Sequence, residues 1–350
     1  MRIPAGVDPH THPLGDLATA GAEARRGGTT TLVAFTSPHP GESPAAAFVR
    51  ARDELLPQTD VRVQLHPAVW EPERLDAAQL AELARVGARA VKLYLAFSEL
   101  GMQASDRTVY ETLRDATRLG MLVRVHCENG GAVDALVDEQ LAHGSTGVEG
   151  FVRSRPPLVE EEAVERTLAL ARLADGPVYL VHLTTAGSID LVRRARARGQ
   201  VVWAEACTHH LVLDDACYRR DDATRFLVVP PLRARSDVDA LWDAVADGTL
   251  DAIGSDHATA PFTPPGETGD FRSLPYGFRG VGARMPLVLS EGTRRGVPLE
   301  RLCELLTTGP CRAFGLDPPS ETVEWDPDRE WTVAEGGPFD GLPVRGAIAG

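Results

Sequence analysis

The chain has 350 residues, of which 43% are hydrophobic, and this is enough to bury one large core. A formal net charge of −14 and the lack of a basic stripe disfavour a nucleic-acid partner. No apolar run approaches the ~20 residues of a membrane span, and residues 1–12 lack the pattern of a secretion signal. Five widely spaced cysteines do not suggest a disulfide framework, so we expect a reduced, cytoplasmic protein without a membrane partner.

Short β-branched runs alternate with segments of helical periodicity along most of the chain. The predicted strands cover residues 3–7, 30–36, 61–69, 90–97, 122–126, 178–183, 201–206 and 252–255. The predicted helices cover residues 18–26, 45–55, 77–86, 108–118, 159–173 and 188–198. Eight such units predict an α/β fold of the (β/α)₈ TIM-barrel type over residues 1–315. Residues 316–350 are rich in Pro, Gly and acidic side chains, and they are predicted to form a C-terminal extension.

Polar side chains lie at or just after the carboxyl ends of several predicted strands. They are His10, His12, Lys92, His126, His182 and Asp256. In a barrel these strand ends converge on one face, which is where barrel enzymes hold their active sites. No Gly-x-Gly-x-x-Gly follows an early strand, so an open dinucleotide-binding sheet is less favoured.

These residue types are typical of a metal site. Side chains at i and i+2 of a strand share one face, so His10 and His12 form a chelating pair. Each histidine alone is more often structural, and an isolated His-x-His is a weak signal. A buried Asp256 would be costly without a cation. Together with His126 and His182, this set is much harder to explain by chance.

Lys92 is the only lysine among 36 basic residues, the others being arginines. A lysine can act as a neutral amine, whereas a guanidinium stays charged. Two divalent ions about 3.5–4 Å apart need a bridging anion. A neutral Lys92 amine can react with carbon dioxide to give a carbamate, which presents two oxygens in carboxylate geometry, and an arginine cannot.

The order of several motifs resembles the cyclic amidohydrolases, closest to hydantoinases and dihydropyrimidinases, from residue 1 to about residue 316. The motifs are His10-Thr11-His12, Val91-Lys92-Leu93-Tyr94-Leu95-Ala96, His126-Cys127-Glu128-Asn129-Gly130, Val181-His182-Leu183, Pro230-Pro231-Leu232-Arg233 and Ser255-Asp256-His257. The resemblance implies a metal-dependent amidohydrolase barrel acting on a small cyclic amide.

The resemblance also implies a role for each ligand. His10, His12 and Asp256 would bind one divalent ion, expected to be zinc, and His126 and His182 would bind a second. Carbamylated Lys92 would bridge the two ions. A hydroxide shared between them would attack the ring carbonyl, and Asp256 would act as general base and then general acid. A homo-oligomer is expected.

Three departures from the hydantoinase pattern concern the substrate. Phe97 stands where a tyrosine that stabilises the oxyanion is expected, Val229 replaces a serine, and Tyr276 replaces an asparagine. We expect the Tyr276 phenol to replace the missing oxyanion donor, and Arg279 to be available to an anionic substrate. Relatives also carry an accessory β-sandwich, which is expected to be lost or vestigial here.

Other functions stay open at this point. An allantoinase or dihydroorotase is the nearest alternative, because Thr208-His209-His210-Leu211 resembles their seventh-strand segment. The arginine expected after His12 in a dihydroorotase is missing. From other classes, Lys92 could form the Schiff base of an aldolase, or the fold could serve a non-catalytic binding protein. Neither explains four histidines and Asp256.

Overall fold

The computed structural model describes residues 1–13, 15–259, 270–334 and 337–349. The structure is a closed barrel of eight parallel strands. The eighth strand is interrupted, so the described part of the barrel contains nine strand segments. These segments are β2 (Gly6–His12), β3 (Thr29–Thr36), β4 (Arg62–Pro67), β5 (Ala90–Tyr94), β6 (Leu122–His126), β7 (Val178–Leu180), β8 (Val202–Cys207), β9 (Ala252–Gly254) and β10 (His257–Ala258). The predicted TIM-barrel fold is confirmed.

Hydrogen bonding follows the order of the chain. One sheet runs β10-β2-β3-β4 and the other β5-β6-β7-β8-β9. A parallel bridge between Ala68 and Lys92 joins the two sheets on one side. On the other side β9 continues into β10, which pairs with β2 at His257 and Thr11. The barrel is therefore closed between its last and first strands.

Helices cover the outside of the barrel. They are α1 (Leu17–Arg26), α2 (Pro44–Arg50), α3 (Ala77–Val86), α4 (Asp106–Arg118), α5 (Gly130–Ala142), α6 (Val148–Arg153), α7 (Pro157–Leu173), α8 (Ala186–Ala197), α9 (Thr208–Val212), α10 (Arg235–Asp247), α11 (Arg284–Arg294), α12 (Leu299–Cys303) and α13 (Gly309–Phe314). The helix predicted at 77–86 has these bounds, since Asp76 and Gln79 form a capping box and Gly87 ends the helix at φ 103°. The predicted helix at 45–55 divides into α2 and a π-helical turn, Ala51–Leu55.

Alternation along β5 decides which of its side chains reach the barrel interior. Val91 and Leu93 belong to the main hydrophobic cluster, which packs the strands against the helices. Lys92 and Tyr94 therefore point to the opposite side, because successive side chains of a strand face opposite ways. Lys92 pairs with Arg124 and Tyr94 with His126 on neighbouring β6.

The prediction of a first strand at residues 3–7 is wrong in its boundaries. Arg2–Pro4 forms a separate strand, β1, and the barrel strand β2 runs from Gly6 to His12. Hence His10 and His12 lie on the strand and not after it. The chain changes partners in between, since the Ala5 N–H donates to the Glu321 carbonyl and the Gly6 N–H to that of Gly28.

The two ends of the chain form a small antiparallel sheet beside the barrel. Its order is β1-β11-β12, where β11 is Thr322–Thr332 and β12 is Pro343–Ala349. Trp325 on β11 is 3% exposed and belongs to the main hydrophobic cluster. The predicted extension is thus packed onto the core. None of the described helices combines the length and hydrophobicity that a transmembrane segment needs.

Candidate metal centre and active site

A cavity of about 260 Å³ opens at the carboxyl ends of the barrel strands. The six predicted metal ligands all line it: His10, His12, Lys92, His126, His182 and Asp256. They come from β2, β5 and β6 and from the segments that follow β7 and β9. The barrel therefore brings together residues that are up to 246 positions apart in the sequence.

The first group of ligand atoms belongs to His10, His12 and Asp256. His10 Nε2 lies 3.1 Å from Asp256 Oδ1, and His12 Nε2 lies 3.3 Å from the same oxygen. The two Nε2 atoms are themselves 3.3 Å apart. Three potential ligand atoms at mutual distances of 3.1–3.3 Å form a compact triangle that suits a single cation.

The orientation of His10 is fixed by Glu205, which the sequence analysis missed. His10 Nδ1 lies 2.6 Å from Glu205 Oε1, and both side chains are buried. Since the carboxylate can only accept, Nδ1 carries the proton and Nε2 presents a lone pair to Asp256. A lone pair facing a carboxylate oxygen at 3.1 Å is repulsive unless a cation or a proton lies between them. The donor set therefore fits a metal ion.

A second group is formed by His126 and His182. His126 Nε2 lies 2.9 Å from Glu128 Oε2, so this nitrogen donates its proton to the carboxylate. The opposite nitrogen, Nδ1, lies 2.9 Å from His182 Nε2. A carboxylate behind a ligating imidazole is the usual outer-shell arrangement of metal-binding histidines. The His10 and His182 rings stack at 5.4 Å, which places the two groups side by side.

Lys92 is unusual for a lysine because its side-chain amine is buried without a partner in the described parts of the chain. It is 1% exposed, and its Nζ has no hydrogen-bond partner among the residues that the structure describes. Burial, followed by the charge of Arg124, lowers the pKa of Lys92 to about 7. The amine lies 5.3 Å from the Phe35 ring centre and 5.1 Å from that of Tyr94. Much of it is therefore neutral near pH 7, as carbamate formation requires.

Three other ligands are in the charge states that a metal needs. Burial lowers the pKa of His10 to about 4 and that of His182 well below its usual value, so both imidazoles are neutral at pH 7. Burial alone would raise the pKa of Asp256, but its attraction to His10 in the protonated form holds it well below its usual range. The site thus offers lone pairs and an ionised carboxylate.

Backbone strain is concentrated around this cavity. Phe97, His182 and Asp256 have positive φ angles of 70°, 37° and 49°. The left-handed region is costly for residues other than glycine and persists where the surrounding structure enforces it, often at functional sites. Two of these residues are predicted ligands, and all three line the cavity.

The four predicted substrate contacts differ in their placement. Phe97, Val229 and Tyr276 line the cavity. The Tyr276 hydroxyl donates to the Phe271 carbonyl, so its one proton is already used and the expectation that it replaces the oxyanion donor is not supported. Arg279 is not among the lining residues, and its Nη2 lies 3.5 Å from Asp16 Oδ2. An anionic substrate in this cavity would not meet Arg279.

The rest of the cavity wall is mainly apolar. The side chains that give it this character are Ala68, Trp70, Leu100, Met102, Val228 and Ala258. Trp70 is 37% exposed and Leu100 58% exposed, so two large apolar side chains stand at the mouth. Among the described lining residues, Lys92 is the only lysine or arginine. The geometry suits an uncharged ligand with an apolar part.

Sequence reasoning missed the carboxylates Glu205 and Glu128 and the buried Arg124. Arg124 is fully buried, donates to Glu205 at 3.3 Å and lies between the Phe35, Tyr179 and Phe314 rings. A signal was available, because Glu205 and Arg124 each interrupt an apolar predicted strand, where an unpaired charge would be costly.

Comparison with known proteins agrees with this geometry. A model of the amidohydrolase family matches residues 1–325. The chain is 34% identical to a D-hydantoinase from Ralstonia pickettii, over 95% of this chain and 78% of that protein. It is 30% identical to a D-hydantoinase from Geobacillus stearothermophilus, over 98% and 80% of the two chains.

The fold is also similar to solved structures of a hydantoinase and a dihydropyrimidinase. The D-hydantoinase from Bacillus sp. AR9 superposes with a TM-score of 0.91 at 31% identity, covering 99% of this chain and 83% of its own. The dihydropyrimidinase from Brevibacillus agri NCHU1002 gives a TM-score of 0.92 at 31% identity, covering 99% and 82%.

Proposed function

The chain belongs to the amidohydrolase family, and we propose that it hydrolyses a ring C–N bond of a cyclic amide or ureide, as a hydantoinase or dihydropyrimidinase does. The observation that carries this proposal is the convergence of two groups of ligand atoms beside a buried amine. His10, His12 and Asp256 form one group, and His126 with His182 the other.

We assign a divalent metal ion to each group, with zinc as the expected element because neutral imidazole and carboxylate are its usual ligands. Lys92, as a carbamate, would supply the bridging oxygens. Its burial, its unpartnered amine and its pKa of about 7 support this assignment. When bound, the metals would lower the pKa of a water molecule and polarise the substrate carbonyl.

A residue of the chain would transfer the proton from the attacking water to the leaving nitrogen. The ionised Asp256 carboxylate belongs to the first ligand group and lines the cavity, so it can accept a proton from the attacking water. The water oxygen bonds to the carbonyl carbon, the ring C–N bond breaks, and Asp256 returns the proton to the leaving nitrogen. The contact with Glu205 fixes the His10 ring, so that its Nε2 faces Asp256.

The cavity favours a neutral ring with an apolar substituent, because Trp70, Leu100 and Met102 line it. Arg279 does not line the cavity and contacts Asp16. A dihydroorotase-like reaction is less suited, since its substrate is an anion. The Schiff-base and binding-protein alternatives leave the paired ligand groups without a role.

Purified protein would be tested against hydantoin, 5-phenylhydantoin, dihydrouracil, allantoin and dihydroorotate, with ring opening followed chromatographically. We expect hydrolysis of the neutral rings, loss of activity after chelation, and recovery with two divalent ions per chain. No ring opening of any substrate by protein that holds two ions per chain would overturn the proposal.

Lys92→Ala provides a sharper test of the bridge. Acetate or propionate should enter the space left by the side chain and partly restore metal binding and hydrolysis in a dose-dependent way. Lys92→Arg is the matched control, because it fills the space and should not respond to added acid. Trapping by borohydride with a carbonyl substrate would instead indicate a Schiff base.

We also propose that residues 316–350, which include β11 and β12, are a remnant of the accessory sandwich carried by relatives. They are attached to a barrel domain of residues 1–315, whose strand β1 joins the same sheet. In support, this sheet joins the first residues of the chain to the last, as a sandwich built from both ends would. Its strands hold no predicted ligand, so we expect it to contribute to stability and not to the chemistry.

A further inference from the structure

We propose that the Tyr94 hydroxyl donates to the substrate carbonyl oxygen and so takes the place of the tyrosine that is missing at position 97. This inference rests on the proposed function, because it concerns the oxyanion that forms when a cyclic amide is attacked. It makes Tyr94 a catalytic residue that neither the motifs nor the comparisons assign.

The strand geometry places Tyr94 at the reaction site. Lys92 and Tyr94 are two residues apart on β5, so both side chains point to the interior of the barrel. The Lys92 amine lies 5.1 Å from the Tyr94 ring centre. The Tyr94 ring lies 6.0 Å from the His126 ring, and it lines the same cavity as the six ligands.

The hydroxyl of Tyr94 is available for a ligand. Tyr94 is 7% exposed, and no residue in the described parts of the chain forms a hydrogen bond with its hydroxyl. Tyr276, the other phenol at the cavity, is already bonded to the Phe271 carbonyl. Tyr94 lines the cavity, and its hydroxyl is not among the buried polar atoms that lack a partner, so its proton is open to an acceptor in the cavity.

Phe97 shows why position 94 can substitute for position 97. The Phe97 ring lies 4.9 Å from the His126 ring and 5.9 Å from the Tyr94 ring. Positions 94 and 97 therefore flank the same imidazole, one carrying a phenol and the other a phenyl ring. The pair keeps one phenol ring next to the His126 ring, but this ring comes from the strand and not from the turn that follows.

The donor role has a direct consequence for catalysis. A neutral hydroxyl that meets the developing negative charge stabilises the transition state more than the ground state, so its removal lowers kcat more than it raises KM. Loss of one such donor typically lowers kcat by about 10²–10³-fold.

The test uses Tyr94→Phe, Phe97→Tyr and the double variant, each assayed with the best neutral substrate of the wild type. Tyr94→Phe should lower kcat by about 10²-fold or more, with KM within a few-fold and metal content unchanged. The double variant should recover part of this loss, because it returns a hydroxyl to position 97. Tyr110→Phe, on helix α4 away from the cavity, is the matched control and should behave like the wild type.

Three outcomes would overturn the inference. The first is a Tyr94→Phe variant with kcat within threefold of the wild type. The second is loss of metal from that variant, because the hydroxyl would then support a ligand. The third is a large loss of kcat in Ser37→Ala, which would make this other cavity hydroxyl the donor. If the wild type opens no ring, the proposed function fails instead.

Discussion

Replacing Glu205 by glutamine tests whether the buried carboxylate behind His10 supports the metal site. Glu205 is fully buried and contacts three side chains: His10 Nδ1 at 2.6 Å, Tyr179 Oη at 2.6 Å and Arg124 Nη2 at 3.3 Å. Glutamine has nearly the same shape but no charge. The substitution therefore changes the electrostatics behind His10 without opening a cavity.

Two separate losses are expected. Outer-shell partners of metal-bound histidines typically contribute 10–100-fold to metal affinity, which is about 1.4–2.7 kcal/mol. In addition, Arg124 would keep its charge in a fully buried position without a counter-ion. Removing one partner of a buried ion pair costs about 3–5 kcal/mol of unfolding free energy. This second figure is an upper bound, because the amide oxygen can still accept a hydrogen bond.

Metal affinity would be measured by competition with a chelator, and stability by denaturant unfolding of the metal-free protein. Glu160→Gln is the matched control, because Glu160 is also a buried carboxylate beside an arginine, Arg233, at 3.7 Å, but it does not contact a predicted ligand. It should lose stability and keep its metal affinity. A Glu205→Gln variant that binds metal within twofold of the wild type would refute the reasoning.

Three further predictions follow from burial. Burial holds the pKa of His10 and of His209 at about 4, below 6.5, so the unfolded chain binds more protons between these values. The unfolding free energy of metal-free protein should then fall from pH 6.5 to 4, by roughly 3 kcal/mol per histidine, and a flat denaturation profile would contradict this. Lys92→Arg should hold less than one metal ion per chain by elemental analysis, because its permanent charge repels the ions; full occupancy would exclude a Lys92 bridge. Trp325→Ala should lower the unfolding free energy by about 3–5 kcal/mol, and a loss below about 1 kcal/mol would show that the terminal sheet is not packed on the core.

Most barrel strands could be predicted from the sequence, because each is a short β-branched run between helical segments. The error at residues 3–7 has a non-local cause. Ile3 and Val7 belong to one apolar run, yet Ile3 pairs with Val323 while Val7 pairs with Thr31. No local pattern shows that the chain leaves one sheet and enters another at Ala5, since the partner strand lies more than 300 residues away.

The candidate ligands could be predicted because their chemistry is carried by residue type and position at a strand end. Their orientation could not. Which nitrogen of His10 faces the cavity depends on Glu205, and for His126 it depends on Glu128. Glu205 lies on β8, 195 residues from His10, and only the fold brings it behind that imidazole. Glu128 is just two residues after His126, but its presence in the sequence does not show which ring nitrogen it contacts. Arg279 and Tyr276 were candidates for a similar reason, but contacts with Asp16 and Phe271 engage their polar ends.

The pair Tyr94 and Phe97 also shows what cannot be predicted from the sequence alone. A sequence pattern can reveal that a hydroxyl is missing at position 97, but a replacement has to reach the same point in space with an unused proton. Tyr276 meets the cavity and fails the second condition, because the Phe271 carbonyl accepts its proton. Tyr94 meets both conditions, since the alternation of β5 turns it inward beside Lys92 and His126. The replacement donor is therefore identified by its unused proton and its place in the cavity, and not by the position at which the tyrosine is missing.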